Sequence, residues 1–500
     1  MRKRILFSLL CLMFGLAPAF ASAASFEVSG WLPYWRVASS TLDVLPHLSD
    51  LTEINPFVYT LRNDGTFLDN GHMDQEPWTS VLAAARARKV RIVPTIMTSD
   101  GDLIHTLLSN STSRIALEER MAAFVKANNF DGIEIDFEGK KAEDKNYFSP
   151  FLKGLYARMG SKLVECDIEA RTPASSRYYG AAIPPDAEIY ANDFTAINKY
   201  CDRVKLMTYD QQGVDQLLAS TAASSSTLYA PVADPAWVEK VVALTSKSIK
   251  LSKIEIGIPT YGYEYDVTAY ANDQYLYDIL WTFNPGYATQ IEQQFGVAPT
   301  RAPWGEMELT YINSSKGSST PPLSMSPYAG LAAAAAASTY ATNSNGHLDF
   351  RMLVWPDAQA IAGKIALAKA LGVRGVAIFK LDGGEDPGIW SVLQGVARPA
   401  SAMTAVSSGR VVSGQTFARG LGLGSAGADV RTLQQILNKD TSTQVAASGT
   451  GSPGHESTLF GAATDAAVKK FQLKFKIAAP GNAGYGYVGP ATRAKLNTLL

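Results

Sequence analysis

Cysteine and histidine are scarce, with three and five in 500 residues. No His or Cys cluster has metal-ligand spacing, so no metal and no cofactor is expected. The few cysteines also exclude a scaffold built on disulfides. An excess of charge of one sign is missing too. The formal net charge is −1, and without a basic stripe nucleic acid is not an expected partner. Beyond Ala23 no apolar run approaches the roughly 20 residues a membrane span needs. No membrane partner is expected once the N-terminus is removed, and a monomer is the expectation.

That N-terminus is the first feature present. Arg2, Lys3 and Arg4 precede an apolar stretch from Ile5 to Leu16, which contains Cys11. Small-x-small sites follow at Ala19-Phe20-Ala21 and Ala21-Ser22-Ala23. This is the layout of a signal peptide, residues 1–23, and it predicts a secreted or cell-envelope protein. Cys166 and Cys201 then remain. One disulfide and two buried thiols are both compatible with them.

From about residue 26 to 397, short apolar runs alternate with helical patterns. The candidate strands are Val28–Leu32, Ile54–Tyr59, Val90–Ile96, Gly132–Phe137, Leu163–Glu169, Val204–Thr208, Ile254–Ile258 and Gly375–Phe379. Most are rich in Val, Ile or Leu, as strands buried on both faces should be. Candidate helices are Trp78–Arg88, Ser113–Asn128, Lys145–Gly160, Trp237–Ser246 and Ala358–Leu371. Eight strands alternating with helices predict an α/β fold, a (β/α)8 TIM barrel. The interval from about 265 to 350 is longer than one helix needs, so an insertion between strands seven and eight is expected, with a short helix near Leu331–Ala337. Residues 398–415 are small, polar and aperiodic, a linker. Residues 416–500 have their own apolar stripes, Leu433/Ile436/Leu437 and Ala467/Val468/Phe471/Phe475, which predict a small all-α domain.

The fourth strand carries the chemistry. Residues two apart on a strand share a face, so Glu134, Asp136 and Glu138 share one, and Ile133, Ile135 and Phe137 the other. In a barrel the acids point inward. Three carboxylates in a packed core repel one another and lose hydration, so fold stability alone does not select them. Glu138 falls at the C-terminal end of the strand, where barrel enzymes place their chemistry. A solvated edge strand and a three-carboxylate metal site are the competing readings of the same residues.

The run Asp131, Glu134, Asp136, Glu138 resembles the Asp-x-x-Asp-x-Asp-x-Glu signature of glycoside hydrolase family 18, the chitinase-like barrel enzymes. Gly30-Trp31-Leu32-Pro33-Tyr34-Trp35, Met207-Thr208-Tyr209-Asp210, Gly257-Ile258-Pro259-Thr260-Tyr261-Gly262-Tyr263 and Gly375-Val376-Ala377-Ile378-Phe379-Lys380-Leu381 resemble its first, sixth, seventh and eighth strands. The likeness covers roughly 26–395 and is nearest the bacterial spore-cortex and cell-wall glucosaminidases. It implies a retaining hydrolase in which the substrate's own acetamido group attacks. Glu138 is then the acid, Asp136 holds the acetamido N–H, and Tyr209 holds its carbonyl. Asp210, Phe379, Glu134, Tyr34 and Tyr261 are the implied substrate-binding residues. Two positions depart from the family: Glu134 stands for an Asp and Phe379 for the usual Trp.

In the tail, Leu423–Gln434, Phe460–Gln472 and Val488–Leu496 resemble the small peptidoglycan-binding-like domain. The pair of domains implies peptidoglycan as partner and substrate. Chitin, which offers the same 2-acetamido group, and a non-catalytic sugar-binding barrel are the other readings.

Overall fold

The computed structural model describes residues 26–499, apart from 213–214, 224–227, 272–273, 313–332, 398–416, 418–420, 423–424, 426–427, 450, 458–459 and 481–483. The expected signal peptide (1–23) and linker (398–415) lie outside the described residues.

Eight parallel strands close on themselves: β1 (Glu27–Pro33), β2 (Glu53–Leu61), β3 (Thr95–Thr98), β4 (Gly132–Phe137), β5 (Leu163–Glu169), β6 (Arg203–Met207), β7 (Ile254–Pro259) and β8 (Gly375–Phe379). β1 pairs with both β8 and β2, which shuts the barrel. The third strand begins later than the sequence predicted. A two-residue strand, Arg91–Ile92, stops before Pro94, which has no N–H to give to a ladder.

Helices cover the outside. Their starts are capped where the sequence provides a short acceptor: Asp100 accepts from Leu103 N–H, Asp234 precedes Pro235, and Asp357 accepts from Ala360 N–H. The outward face of β4 is buried against them, with Phe137 stacked on Phe151 at 5.7 Å. Cys166 on β5 and Cys201, just before β6, are joined in a disulfide. Of the two states left open by the sequence, the bonded one is present.

The insertion after β7 is an antiparallel sheet, in the spatial order Gln274–Phe283, Gly262–Tyr270, His347–Trp355, Met307–Tyr311, Thr300–Arg301. Helices Gly286–Phe295 and Ala333–Ser344 belong to the same insertion. It has its own apolar core, in which Tyr265, Val267, Phe350 and Met352 are buried. In the tail, helices Ala428–Asn438, Ala462–Lys474 and Pro490–Asn497 close over Leu433, Leu437, Val468, Phe471 and Leu496. Among the described residues, no helix is long and apolar enough to cross a membrane.

Candidate active site

The barrel interior is charged in layers. At its floor, Glu27 is held by Arg203 at 2.6 Å, Arg374 at 2.7 Å and Arg91 at 2.9 Å. Above it sits Lys205 of β6, wholly buried, with Glu134 at 2.5 Å, Glu165 at 2.9 Å and Glu53 at 3.1 Å. Burial opposes ionisation of Glu53, but Lys205 and Arg91 outweigh it and pull its carboxyl down to about 2. The core that three stacked carboxylates would destabilise therefore contains a counter-charge for the innermost of them, Glu134.

Lys205 also corrects the expectation for Glu134. Its carboxylate receives Lys205, the Trp31 indole N–H at 2.7 Å and the Thr95 hydroxyl. Glu134 has no exposed surface. It lies beneath the site and offers no contact to a sugar.

The upper layer is different. Asp136 on β4 and Asp167 on β5 are each 4% exposed, and the Oδ1 of each has no hydrogen-bond partner among the described residues. Burial, then Glu138 and Glu134, raise the Asp136 carboxyl well above its ordinary range. Burial, then Glu134 and Asp136, do the same to Asp167. Glu138 emerges at the rim, its N–H donating to Thr98 O at 2.9 Å. Burial raises its carboxyl, Glu169 and Asp210 add to the rise, and Lys140 opposes it.

Tyr209 follows β6 and is buried, with burial and then Asp167, Asp136, Asp210 and Glu138 acting to keep its phenol protonated. It needs Gly257 on β7: a Cβ there would come within 2.7 Å of the tyrosine ring. Phe379, at the end of β8, stacks on Tyr209 with centroids 5.1 Å apart and planes 15° from parallel. It meets Trp31 and Tyr261 edge-on. Asp210, in the left-handed region at φ 58°, accepts the hydroxyls of Tyr261 at 2.5 Å and Tyr263 at 2.6 Å.

A cavity of roughly 480 Å³ opens between barrel and insertion, lined by Trp35, Asp210, Tyr261, Asn284, Phe379 and Asp382 among others. Asn284 from the insertion donates to Asp382 beyond β8, which fixes the far wall. Tyr34 is not on this wall. It is 39% exposed and packs edge-on against Trp35, which takes the place expected of it. The sequence reading missed Asp167, Lys205, Trp35 and Tyr263. A signal for the first was present: Glu165-Cys166-Asp167-Ile168-Glu169 has the same acid alternation as β4, and the register sets Glu165 beside Glu134.

With the acids, the tyrosine and the aromatic floor gathered at the C-terminal mouth of one barrel, comparison with known proteins becomes decisive. Residues 31–384 match the model of glycosyl hydrolases family 18. The chain belongs to that family. As a family 18 member it carries a second match, of residues 426–496, to the "Putative peptidoglycan binding domain" model. It is 27% identical to the uncharacterized glycosylase YvbX of Bacillus subtilis over 227 residues, 44% of this chain and 61% of that one. The alignment thus spans less than two thirds of that relative. Among solved structures, the spore cortex-lytic enzyme SleL of Bacillus megaterium aligns with TM-score 0.53 and 18% identity, covering 75% of this chain and 74% of its own. A chitinase of Chromobacterium violaceum aligns with TM-score 0.53 and 17% identity, covering 75% and 99%. These structural likenesses establish the shared barrel.

Proposed function

We propose that this family 18 member is a secreted, retaining glycoside hydrolase that cuts β-1,4 bonds after N-acetylglucosamine in peptidoglycan. The observation that carries the reading is a single one. Glu138, whose carboxyl is driven upward by burial and by Glu169, shares the barrel mouth with the buried, unpartnered Asp136 Oδ1 and with Tyr209.

The chemistry runs in two steps. Glu138 gives its proton to the glycosidic oxygen as the bond from that oxygen to the anomeric carbon breaks. The carbonyl oxygen of the sugar's own acetamido group bonds to the anomeric carbon from the opposite face and forms an oxazolinium ion. Asp136 accepts the acetamido N–H and balances the positive charge. Tyr209 donates its hydroxyl to the acetamido carbonyl and aligns it for attack. Phe379 provides the face on which the sugar rests. Water then attacks the anomeric carbon as its bond to the acetamido oxygen breaks and restores the acetamido group, the water's proton passes to the Glu138 carboxylate, and the configuration is retained. Asp210 and Tyr261 contact the same sugar.

The peptidoglycan assignment is supported by the tail domain. A weak wall-binding module on a tether raises the local concentration of the barrel at its polymer. Export is supported by the N-terminal sequence and by the Cys166–Cys201 disulfide, since such bonds persist in oxidising compartments. The test compares wild type with Glu138→Gln on purified peptidoglycan and on chitin. The variant is expected to release no reducing ends while still sedimenting with walls, and loss of residues 401–500 is expected to weaken that sedimentation. Equal release by wild type and Glu138→Gln sinks the reading.

A further inference from the structure

A second cavity, of roughly 230 Å³, lies between the loops that follow β4 and β5, lined by Lys140, Glu169, Arg171, Ile189, Tyr190 and Asn192. Glu138 directly follows β4, and Lys140, two residues on, reaches the wall of this second cavity. The charges acting on it come from Asp210 of the first and from Glu169 and Lys140 of the second. A glycosidase acid protonates the oxygen that joins two sugars, so one sugar lies to each side of it. The first cavity contains the aromatic floor for the sugar that reacts. The second is left for the sugar that departs.

Its charges are unevenly used. Glu169 is neutralised in place, with Lys140 Nζ at 3.7 Å and the Asn192 amide donating to it at 2.6 Å. Arg171 is not so matched. Its guanidinium lies 3.7 Å over the Tyr190 ring and donates to Ala187 O at 3.2 Å, with no carboxylate in ion-pairing range among the described residues. Arg177 gives a second hydrogen bond to the same Ala187 oxygen, at 2.9 Å, and its buried Nε has no partner among the described residues. Glu169 and Glu188 act on Arg171 only from beyond ion-pairing range, so among the described residues two neighbouring guanidiniums, one placed over an aromatic ring at a cavity wall, lack a directly paired carboxylate and form a receptor for one.

We propose that this cavity receives the leaving-group sugar and that Arg171 pairs with a carboxylate carried by it, as N-acetylmuramic acid carries one and N-acetylglucosamine does not. The inference rests on the hydrolase reading above and deepens it, because it makes the choice between peptidoglycan and chitin a property of the barrel itself. The carboxylate has two sources, the free 3-O-lactyl acid of a muramic residue or an acid of its peptide stem.

The experiment measures kcat/KM for wild type, Arg171→Gln and Glu138→Gln of the full chain on three substrates: glycan strands stripped of peptide, stem-bearing glycan strands, and chitohexaose. Arg171→Gln is expected to lose at least tenfold more on one of the two muramyl substrates than on chitohexaose, and the substrate that loses more names the source. Arg171→Lys should restore part of that difference, which a merely structural arginine would not do. Calorimetry of stripped and stem-bearing strands against Glu138→Gln, with and without Arg171→Gln, reads the same contact without turnover. Losses equal on all three substrates together with unchanged affinity, or no cleavage and no binding of muramyl glycan by wild type, overturn the proposal. Activity surviving in Glu138→Gln instead overturns the hydrolase reading, and the binding difference still decides the role of Arg171.

Discussion

Lys205 Nζ lies 2.5 Å from Glu134 Oε1, and neither side chain reaches solvent. The same ammonium serves Glu53 and Glu165. Removing it leaves three buried carboxylates without their central cation. Lys205→Met is expected to lose about 3–5 kcal/mol of unfolding free energy at neutral pH, read from guanidinium denaturation. The sign with pH follows. Burial holds the Glu165 carboxyl well above its ordinary value against the pull of Lys205, and removing Lys205 raises it further, so protonated Glu165 favours folding in acid and that contribution is lost as pH rises through its folded value. The deficit should therefore shrink on acidification. A variant as stable as wild type at every pH contradicts the role given to Lys205.

The architecture was largely legible from the chain because strands buried on both faces leave an unmistakable pattern. All eight barrel strands and the five helices named from periodicity are present, with ends displaced by a few residues. Where Pro94 interrupts hydrogen bonding, the reading ran one strand through it. The charge layers were not legible. The alternation Glu134, Asp136, Glu138 put three acids on one face, but the counter-ion of the innermost comes from a strand 71 residues away from Glu134 in sequence, at Lys205. Distance in sequence hides that pairing until the barrel closes. Tyr34 was favoured over Trp35 for a similar reason: a turn of 3-10 helix, Tyr34–Arg36, decides which ring faces the cavity, and periodicity says nothing about a turn.

Asp167 carries the next prediction. It is buried, and Asp136 is one of the charges that raise its carboxyl. As a positioning residue it acts through Asp136, which must become anionic when the oxazolinium ion forms. The repulsion between the two is mutual, so with Asp167→Asn the ionisation of Asp136 no longer competes with that of a neighbouring acid. The acid limb of the kcat profile should move to lower pH, and kcat at the optimum should drop by about tenfold or more as the shared proton is lost. Measurement of kcat across the acid limb, with the melting curve as control, separates this from a packing defect. A lowered melting temperature with an unmoved pH profile would assign Asp167 to structure alone.

Glu169 controls the other limb. Burial is the largest influence raising the Glu138 carboxyl, and Glu169 is the largest charged one. A general acid works only while protonated, so activity falls as pH rises through its folded value, and a raised value extends activity toward alkali. Glu169→Gln takes away that repulsion. It also releases Lys140, 3.7 Å from Glu169, to favour the Glu138 anion more strongly. Both effects have the same sign, and the alkaline limb of kcat/KM on a soluble chitooligosaccharide should shift to lower pH. Using an uncharged substrate keeps the carboxylate contact proposed for Arg171 out of the measurement. A limb that stays in place, or moves upward, means that burial alone sets the proton affinity of Glu138.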